Sequence, residues 1–286
     1  AMKADMIGHK TLRLGLIGGN ITASRSPVLH TVCALSVGGN ASYNLLIPAE
    51  LGTDFSATLS RCAASGFDGV NVTYPYKEDA AALIPAGDPV VAAMGSANTI
   101  RFTAEGPRAF NTDYTGFVAA FRERFGDMAP GRVLVIGAGG VGRAVAFGLA
   151  ELGAEGIGLC DVDTAKAASL AGAIRLQSAA PPVQASEPRR AGDLSGFDGV
   201  VNCTPLGMVD QPGSALPTGV TGRPVWAFDA VYTPDRTKFR TQVEGLGAAF
   251  LSGYELYFHQ GVQAFEIFTG RRPDADWVRT TLAHRP

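Results

Sequence analysis

Residues 133–142 constrain the fold more than any other stretch. Val133–Ile136 is an unbroken apolar run, and Gly137, Gly139 and Gly142 follow it at G-x-G-x-x-G spacing. A short strand with no polar position is buried on both faces, as in a parallel sheet. The turn Gly137-Ala138-Gly139-Gly140-Val141-Gly142 then opens a helix over 140–152. A helix N-terminus offers N–H groups and the positive end of its dipole, and glycines let a pyrophosphate approach the backbone. In a glycine-rich chain the spacing alone is weak, but between a buried strand and a helix it reads as a dinucleotide site. Asp161 follows a second strand (156–160), nineteen residues after Gly142. A carboxylate there accepts both ribose hydroxyls and repels a 2′-phosphate. From Cys160 to Lys166 there is one Lys and no Arg, so NAD is favoured over NADP. Lys166 also reads as a solvated helix residue, and Asp163 as a helix cap.

Composition removes whole classes of function. The chain has 286 residues, 46% hydrophobic and 17% charged, enough for a sizeable core in one large domain or two ordinary ones. A formal charge of −2 excludes a polycationic nucleic-acid binder. Cys33, Cys62, Cys160 and Cys203 form no CxxC pair, so they read as buried small residues in a reducing compartment. The leading AMKADMIGHK has no apolar core or cleavage site, so it is not expected to be a signal peptide, and Ala1 ahead of Met2 reads as an expression remnant. No apolar run approaches the ~20 residues of a membrane helix. The expectation is a cytoplasmic protein.

Strands and helices alternate along the chain, which argues for α/β with a parallel sheet. Before residue 126, strands are predicted over 12–17, 43–47 and 69–73, with a strand pair at 98–102 and 109–111 around Glu105-Gly106-Pro107. Helices are predicted over 27–37, 55–64, 88–94 and from 113 or 114 to 125. The stretch 126–131 (GDMAPG) reads as a boundary. Beyond it a helix is expected over 164–173, a loop-like stretch over 178–190, and strands over 199–202, 225–228 and 248–251. Helices over 254–270 and 277–284 close the chain.

Outside the glycine turn, several strand-end segments are unusually polar. Ser24-Arg25-Ser26-Pro27 leads into a helix, where two hydroxyls can hold a carboxylate or one serine can simply cap. Asn71-Val72-Thr73-Tyr74-Pro75-Tyr76-Lys77-Glu78 ends a strand with a lysine, and Ala97-Asn98-Thr99 and Asn111-Thr112-Asp113-Tyr114 add amides and an acid. Open α/β sheets place their sites at such ends.

These segments, with Gly137–Ala144, Asn202-Cys203-Thr204-Pro205-Leu206-Gly207-Met208 and His259-Gln260, resemble the shikimate and quinate dehydrogenase family in content, order and spacing over nearly the whole chain. The resemblance implies two α/β domains with a cleft between them. A substrate domain would span 1–113 and 253–286, and a Rossmann domain 114–252. It implies an oxidoreductase moving a hydride reversibly between NAD(H) and shikimate/3-dehydroshikimate, with quinate/3-dehydroquinate as a further pair. By similarity, Ser24 and Ser26 hold the substrate carboxylate, and Thr73, Asn98 and Gln260 bond the ring hydroxyls. Tyr232 and Gly253 line the substrate and nicotinamide end, and Asn202, Thr204 and Met208 lie near the cofactor. Lys77 and Asp113 form the catalytic pair. Hydride removal leaves a proton that a side chain must handle. Lys77 can take it or polarise the alkoxide, and Asp113 can orient Lys77; which one carries the proton stays open.

The subtype signals are mixed. Asp161 resembles the NAD-using quinate/shikimate members, whereas Ser26 resembles the shikimate-selective ones, since quinate users tend to carry Thr there. Ala23 replaces the usual His, and the tail Gly253-Tyr254-Glu255-Leu256-Tyr257-Phe258-His259-Gln260 is bulkier than the common form. Glu255 reads either as a substrate-selecting residue or as a first-turn residue facing water, and His30 and His259 read as structural. No His, Cys and acid group has metal spacing, so no metal is expected. Partners are a small-molecule substrate, no nucleic acid and no membrane, as a monomer or homodimer. The rivals are a non-catalytic NAD- or metabolite-binding regulator and an aminoshikimate-type dehydrogenase.

Overall fold

The structure, a computed structural model, describes residues 10–285. The readings of the leading segment fall on residues 1–9 and lie outside the described residues. The chain divides into two compact units. Among the described residues, one takes in 10–92, Ser96–Thr112 and 260–285; the other takes in Ala93–Gly95 and Asp113–His259.

The first unit is built on β1 (Leu12–Ile17), β2 (Ala41–Leu46), β3 (Gly69–Val72), β4 (Thr99–Thr103) and β5 (Gly106–Phe110), in the order β2-β1-β3-β4-β5. β1 pairs in parallel with β2 and β3, while β4 and β5 continue the sheet antiparallel. Helices α1 (Ser26–Ser36), α2 (Phe55–Ala64), α3 (Lys77–Leu83) and α4 (Pro89–Met94) lie between the strands in sequence. α2 shows why such segments fold as they do. The Asp54 carboxylate accepts a 2.7 Å hydrogen bond from Ala57 N at its start, and Phe55, Leu59 and Cys62 bury one stripe.

The second unit begins in α5 (Thr112–Phe125). It continues through β6 (Arg132–Ile136), α6 (Gly140–Glu151), β7 (Gly156–Cys160), α7 (Thr164–Arg175), β8 (Val183–Ser186), a 3₁₀ turn (Pro188–Gly192), β9 (Gly199–Asn202) and β10 (Trp226–Asp229). α8 (Lys238–Gly245), β11 (Ala249–Ser252) and α9 (Gly253–Thr269) follow, and α10 (Ala275–Ala283) ends the chain. The sheet order is β11-β10-β9-β6-β7-β8, with every strand pair parallel. The chain leaves β6 toward β7 and β8, then returns to the other side for β9, β10 and β11. The carboxyl end of β6 is therefore the switch point of a doubly wound sheet, where such sheets place ligands. The expected mixed α/β architecture with a Rossmann-type sheet is present.

Several boundaries differ from expectation. The loop expected over 178–190 contains edge strand β8 and the 3₁₀ turn. Lys77 does not end a strand: β3 stops at Val72, and Lys77 opens α3. The β4–β5 turn is at residues 104–105, so Gly106 and Pro107 are already in β5. α8 was not expected, because it is polar and buries only Phe239 and Val243. All four cysteines are free, and burial pushes the Cys33 thiol up to about 12 and those of Cys62 and Cys160 to about 11. Those three are inert fillers. Among the described residues, no helix is long and apolar enough to cross a membrane.

Candidate functional site

The glycine turn at the end of β6 is shaped by two steric demands. Gly137 has φ +100°, a region where side chains are strained, and an added Cβ there would press on the backbone of Cys203 and Thr204. A Cβ on Gly142 would overlap the Gly137 carbonyl. Gly139 is different: a Cβ there meets nothing within 4 Å, and no side chain caps the α6 end it precedes. It borders open space in front of helical N–H groups, a cradle that fits a pyrophosphate.

Asp161 directly follows β7 and is half-buried. Its Oδ2 accepts a 2.7 Å bond from Ala138 N, and its Oδ1 a 2.8 Å bond from Asp163 N. The carboxylate therefore pins the glycine turn as well as placing a negative charge beside it. Asp163 caps α7 through Ala165 N and Lys166 N, and Lys166 is exposed.

An open cavity of about 550 Å³ lies among Thr164, Gln184, Ser186, Glu187, Arg189 and Arg190. Folding thus brings two arginines near α7 that the local Cys160–Lys166 stretch lacks. Arg190 is held within the fold, whereas Arg189 is paired only at the surface. Arg189 pairs with Glu187 at 3.2 Å, while Arg190 donates to the Asp193 carbonyl and lies 4.7 Å over the Phe197 ring.

Asn202 is fully buried at the end of β9. Its Oδ1 accepts from Thr204 N at 3.0 Å and Thr204 Oγ1 at 2.6 Å, and its Nδ2 donates to Leu206 O and Asp229 Oδ1. Asp229 also accepts from Val231 N and Thr237 Oγ1. Burial raises the Asp229 carboxyl above its ordinary value, against the pull of these donors. Asp229 is a loop-positioning residue that sequence reasoning missed. Met208, in the same loop, is exposed. Gly253 opens α9 because a Cβ there would strike the carbonyls of Asp229 and Ala230. The bulky tail has a local purpose: Tyr254 and Tyr257 pack on Tyr232, with ring centroids 6.0 and 5.4 Å away. Asp113 is buried in the first turn of α5.

Glu255 and His259 are one turn apart on α9, and Glu123 of α5 joins them. One ligand-capable atom from each lies within 4.8 Å of the others, and His259 Nε2 is 2.5 Å from Glu123 Oε2. Two readings change here: a His–acid group does form, because a distant helix supplies its third member, and Glu255 is half-buried rather than facing water.

In the first unit, neither serine caps α1: the N-cap is Arg25, and Ser24 Oγ accepts from Ser26 N at 3.2 Å. Thr73 N donates to Ile17 O just beyond β3, and Lys77 is half-buried at the start of α3, its carbonyl accepting from Ala97 N. Asn98 is buried. Its Oδ1 accepts from Thr112 N at 2.8 Å and Thr99 Oγ1 at 2.9 Å, and its Nδ2 donates to Thr112 Oγ1. Gln260 is half-buried on α9, next to Gly261, whose missing Cβ admits Leu29 of α1. Tyr43, which no motif argument singled out, is bonded here to Asn71, the first residue of the Asn71–Glu78 segment, at 2.9 Å.

Residues 16–100 match the family model described as the shikimate dehydrogenase substrate binding domain. A quinate/shikimate dehydrogenase (NAD(+)) of Corynebacterium efficiens is 35% identical over 281 residues, covering 96% of this chain and 99% of that protein. A shikimate dehydrogenase (NADP(+)) of Streptomyces avermitilis is 36% identical over 266 residues, covering 92% and 91%. The solved structure of quinate dehydrogenase from Corynebacterium glutamicum in complex with NAD superposes with a TM-score of 0.86 at 32% identity, covering 96% of this chain and 99% of that one.

Proposed function

The chain belongs to the shikimate and quinate dehydrogenase family, and from that membership we propose that it oxidises a ring hydroxyl of shikimate, and of quinate as a second substrate, with NAD rather than NADP. The observation that carries the cofactor choice is the Asp161 carboxylate, bonded to Ala138 N in the glycine turn. A fixed negative charge there accepts ribose hydroxyls and repels a 2′-phosphate. The engagement of Arg190 by the Asp193 carbonyl and the Phe197 ring supports the same choice. The curated relatives divide between the two cofactors, the C. efficiens protein being named for NAD and the S. avermitilis protein for NADP.

When bound, the nicotinamide supplies the hydride acceptor. The remaining work falls to side chains. Ser24 and Ser26 bind the substrate carboxylate. Thr73, Asn98 and Gln260 orient the ring hydroxyls, Asn98 through the amide hydrogen its network leaves over. Lys77 and Asp113 manage the hydroxyl proton, and Tyr232 packs at the substrate end. Gly137–Gly142 seat the pyrophosphate, and Asn202, Thr204, Met208 and Gly253 border the nicotinamide end. The substrate domain is proposed as 1–113 with 253–286, and the NAD domain as 114–252.

Initial rates with shikimate and quinate, each against NAD and NADP, test the proposal. NAD should exceed NADP in kcat/KM by at least about tenfold, a difference of ~1.4 kcal/mol. In the same assay Lys77→Ala should lower kcat by roughly 10²-fold or more while changing KM little. A faster reaction with NADP overturns the cofactor reading, and a Lys77→Ala enzyme with near-normal kcat overturns the role of Lys77.

A further inference from the structure

We propose that Glu123, Glu255 and His259 form a binding site for a borderline divalent cation such as Zn²⁺, which ties the last turn of α5 to the first two turns of α9. All three residues belong to the second unit. The site is independent of the substrate and cofactor readings above.

Helix geometry brings the group together. Glu255 and His259 stand four residues apart on α9, so their side chains share one face. Glu123 reaches them from the last turn of α5. One ligand-capable atom from each lies within 4.8 Å of the other two, and His259 Nε2 and Glu123 Oε2 are already in direct contact. Atoms that share one ion at Zn–N and Zn–O distances stand about 3–3.5 Å from each other. Side-chain rotation alone connects the two arrangements, and the side chains have room for it. Glu123 is 53% exposed, His259 is 20% exposed, and Glu255 is half-buried. The imidazole is steadied by the Phe258 ring, edge-on at 5.4 Å.

A plain ion pair accounts for His259 and Glu123 but needs no second carboxylate. Here Glu255 brings one within reach of both. Two carboxylates face one imidazole, which supplies at most one positive charge, so the group is acidic in either form of His259. Glu123 also stands where its own helix disfavours an acid, because the last turn presents the negative end of the dipole. Its sequence neighbours Arg122 and Arg124 donate to the carbonyls of Gly126 and Phe250. A divalent cation answers the charge and the geometry together. The donor set selects its class. One imidazole nitrogen with two carboxylates suits Zn²⁺ and its first-row neighbours, whereas Mg²⁺ and Ca²⁺ favour oxygen alone. Ligation needs a lone pair on the imidazole nitrogen. The hydrogen held between His259 Nε2 and Glu123 Oε2 therefore leaves for the other ring nitrogen or for solvent, and the ion takes its place. Three protein ligands at an accessible position leave a fourth for water.

Calorimetric titration of the whole chain with ZnCl₂ near neutral pH, after chelator treatment and dialysis and without substrate or cofactor, tests the site. The expected result is one saturable site per chain with a Kd of about 100 µM or tighter. Glu255→Gln and His259→Gln should each weaken it at least about tenfold, since loss of an outer-shell partner alone costs about 10–100-fold. His284→Gln, which alters a histidine near the end of the chain, should leave it unchanged. Mg²⁺ should bind at least about tenfold more weakly than Zn²⁺. Zn²⁺ at a hundredfold excess over Kd should raise the Tm of the parent by several degrees and that of His259→Gln by less. Parental affinity in either Glu255→Gln or His259→Gln places the ion elsewhere and overturns the site. A parent that does not saturate by about 1 mM Zn²⁺ overturns it as well. So does binding without a rise in Tm, because an ion held equally by the unfolded chain needs no folded site. The parent titration and melt decide the matter even where a variant fails to fold.

Discussion

His30 shows how a residue with no chemical task still sets a property of the enzyme. It is 1% exposed, and burial, opposed only by its hydrogen bond with Asn71, lowers its pKa from 6.5 to about 3. Its neighbours Tyr43, Phe265 and Phe268 carry no charge to compensate an imidazolium. Between those two pH values the unfolded chain binds a proton that the folded chain refuses. The stability contributed by keeping His30 neutral is intact above about pH 6.5 and is lost as pH falls toward 3, at roughly 1.4 kcal/mol per pH unit. From about pH 7 to 4.5 this group alone should remove about 3 kcal/mol. Urea unfolding of His30→Gln at both pH values should show a drop smaller than the parent's by about that amount. Parallel drops in the two proteins would mean that His30 is already protonated, or solvated, in the fold.

At the scale of elements, the strand–turn–helix from β6 to α6 is the tightest coupling of sequence to structure in the molecule. The Gly142 position leaves no room for a side chain beneath the Gly137 carbonyl, which is backbone and cannot swing aside. Gly142→Ala must push α6 off β6, at a cost of about 1–3 kcal/mol. It should lower Tm by several degrees and weaken NAD binding at least about tenfold, as read by calorimetric titration. Gly139→Ala, facing open space, should leave Tm unchanged and weaken NAD alone. A Gly142→Ala protein of parental Tm would contradict the packing argument. This element was legible because its constraints are local: an apolar run, glycines at fixed offsets and an acid at the next strand end. The β8 strand was not, because it is a four-residue edge strand in a Pro- and Ala-rich stretch and pairs only with β7. α3 hid behind Tyr-Pro-Tyr, and α8 has only two buried apolar residues to mark it. The motif residues of the site could be named from sequence, but their supports could not. Asp229 under Asn202, and Tyr43 and His30 beside Asn71, meet through strand register and helix packing, which no local pattern encodes.

The whole molecule carries two sheets, each with its own core. One core joins Ile17, Phe55, Val70 and Ile100, and the other Leu134, Val200, Ala227 and Phe239. The glycine turn and Asp161 both belong to the second unit, of about 150 residues. A ligand that binds only folded protein stabilises it by RT ln(1 + [L]/Kd), about 2.7 kcal/mol at a hundredfold excess over Kd. For a unit of this size that is a Tm shift of roughly 5–10 °C. NAD at that excess should shift the melting of the second unit by this amount, whereas NADP at equal concentration should shift it little. Asp161 separates the causes, because its carboxylate is assigned one task toward the ligand and another in the fold. In the proposed cofactor site it acts as a charge; toward the chain it is the acceptor for Ala138 N and Asp163 N. Asp161→Ser removes the charge and one of the two acceptors. The variant should melt earlier than the parent without ligand, by about 1–3 kcal/mol for an unpaired backbone donor, and should respond to NADP nearly as strongly as to NAD. An early-melting variant that still ignores NADP would show that Asp161 is only a clamp on the turn, and that cofactor choice lies with the cavity around Thr164, Arg189 and Arg190.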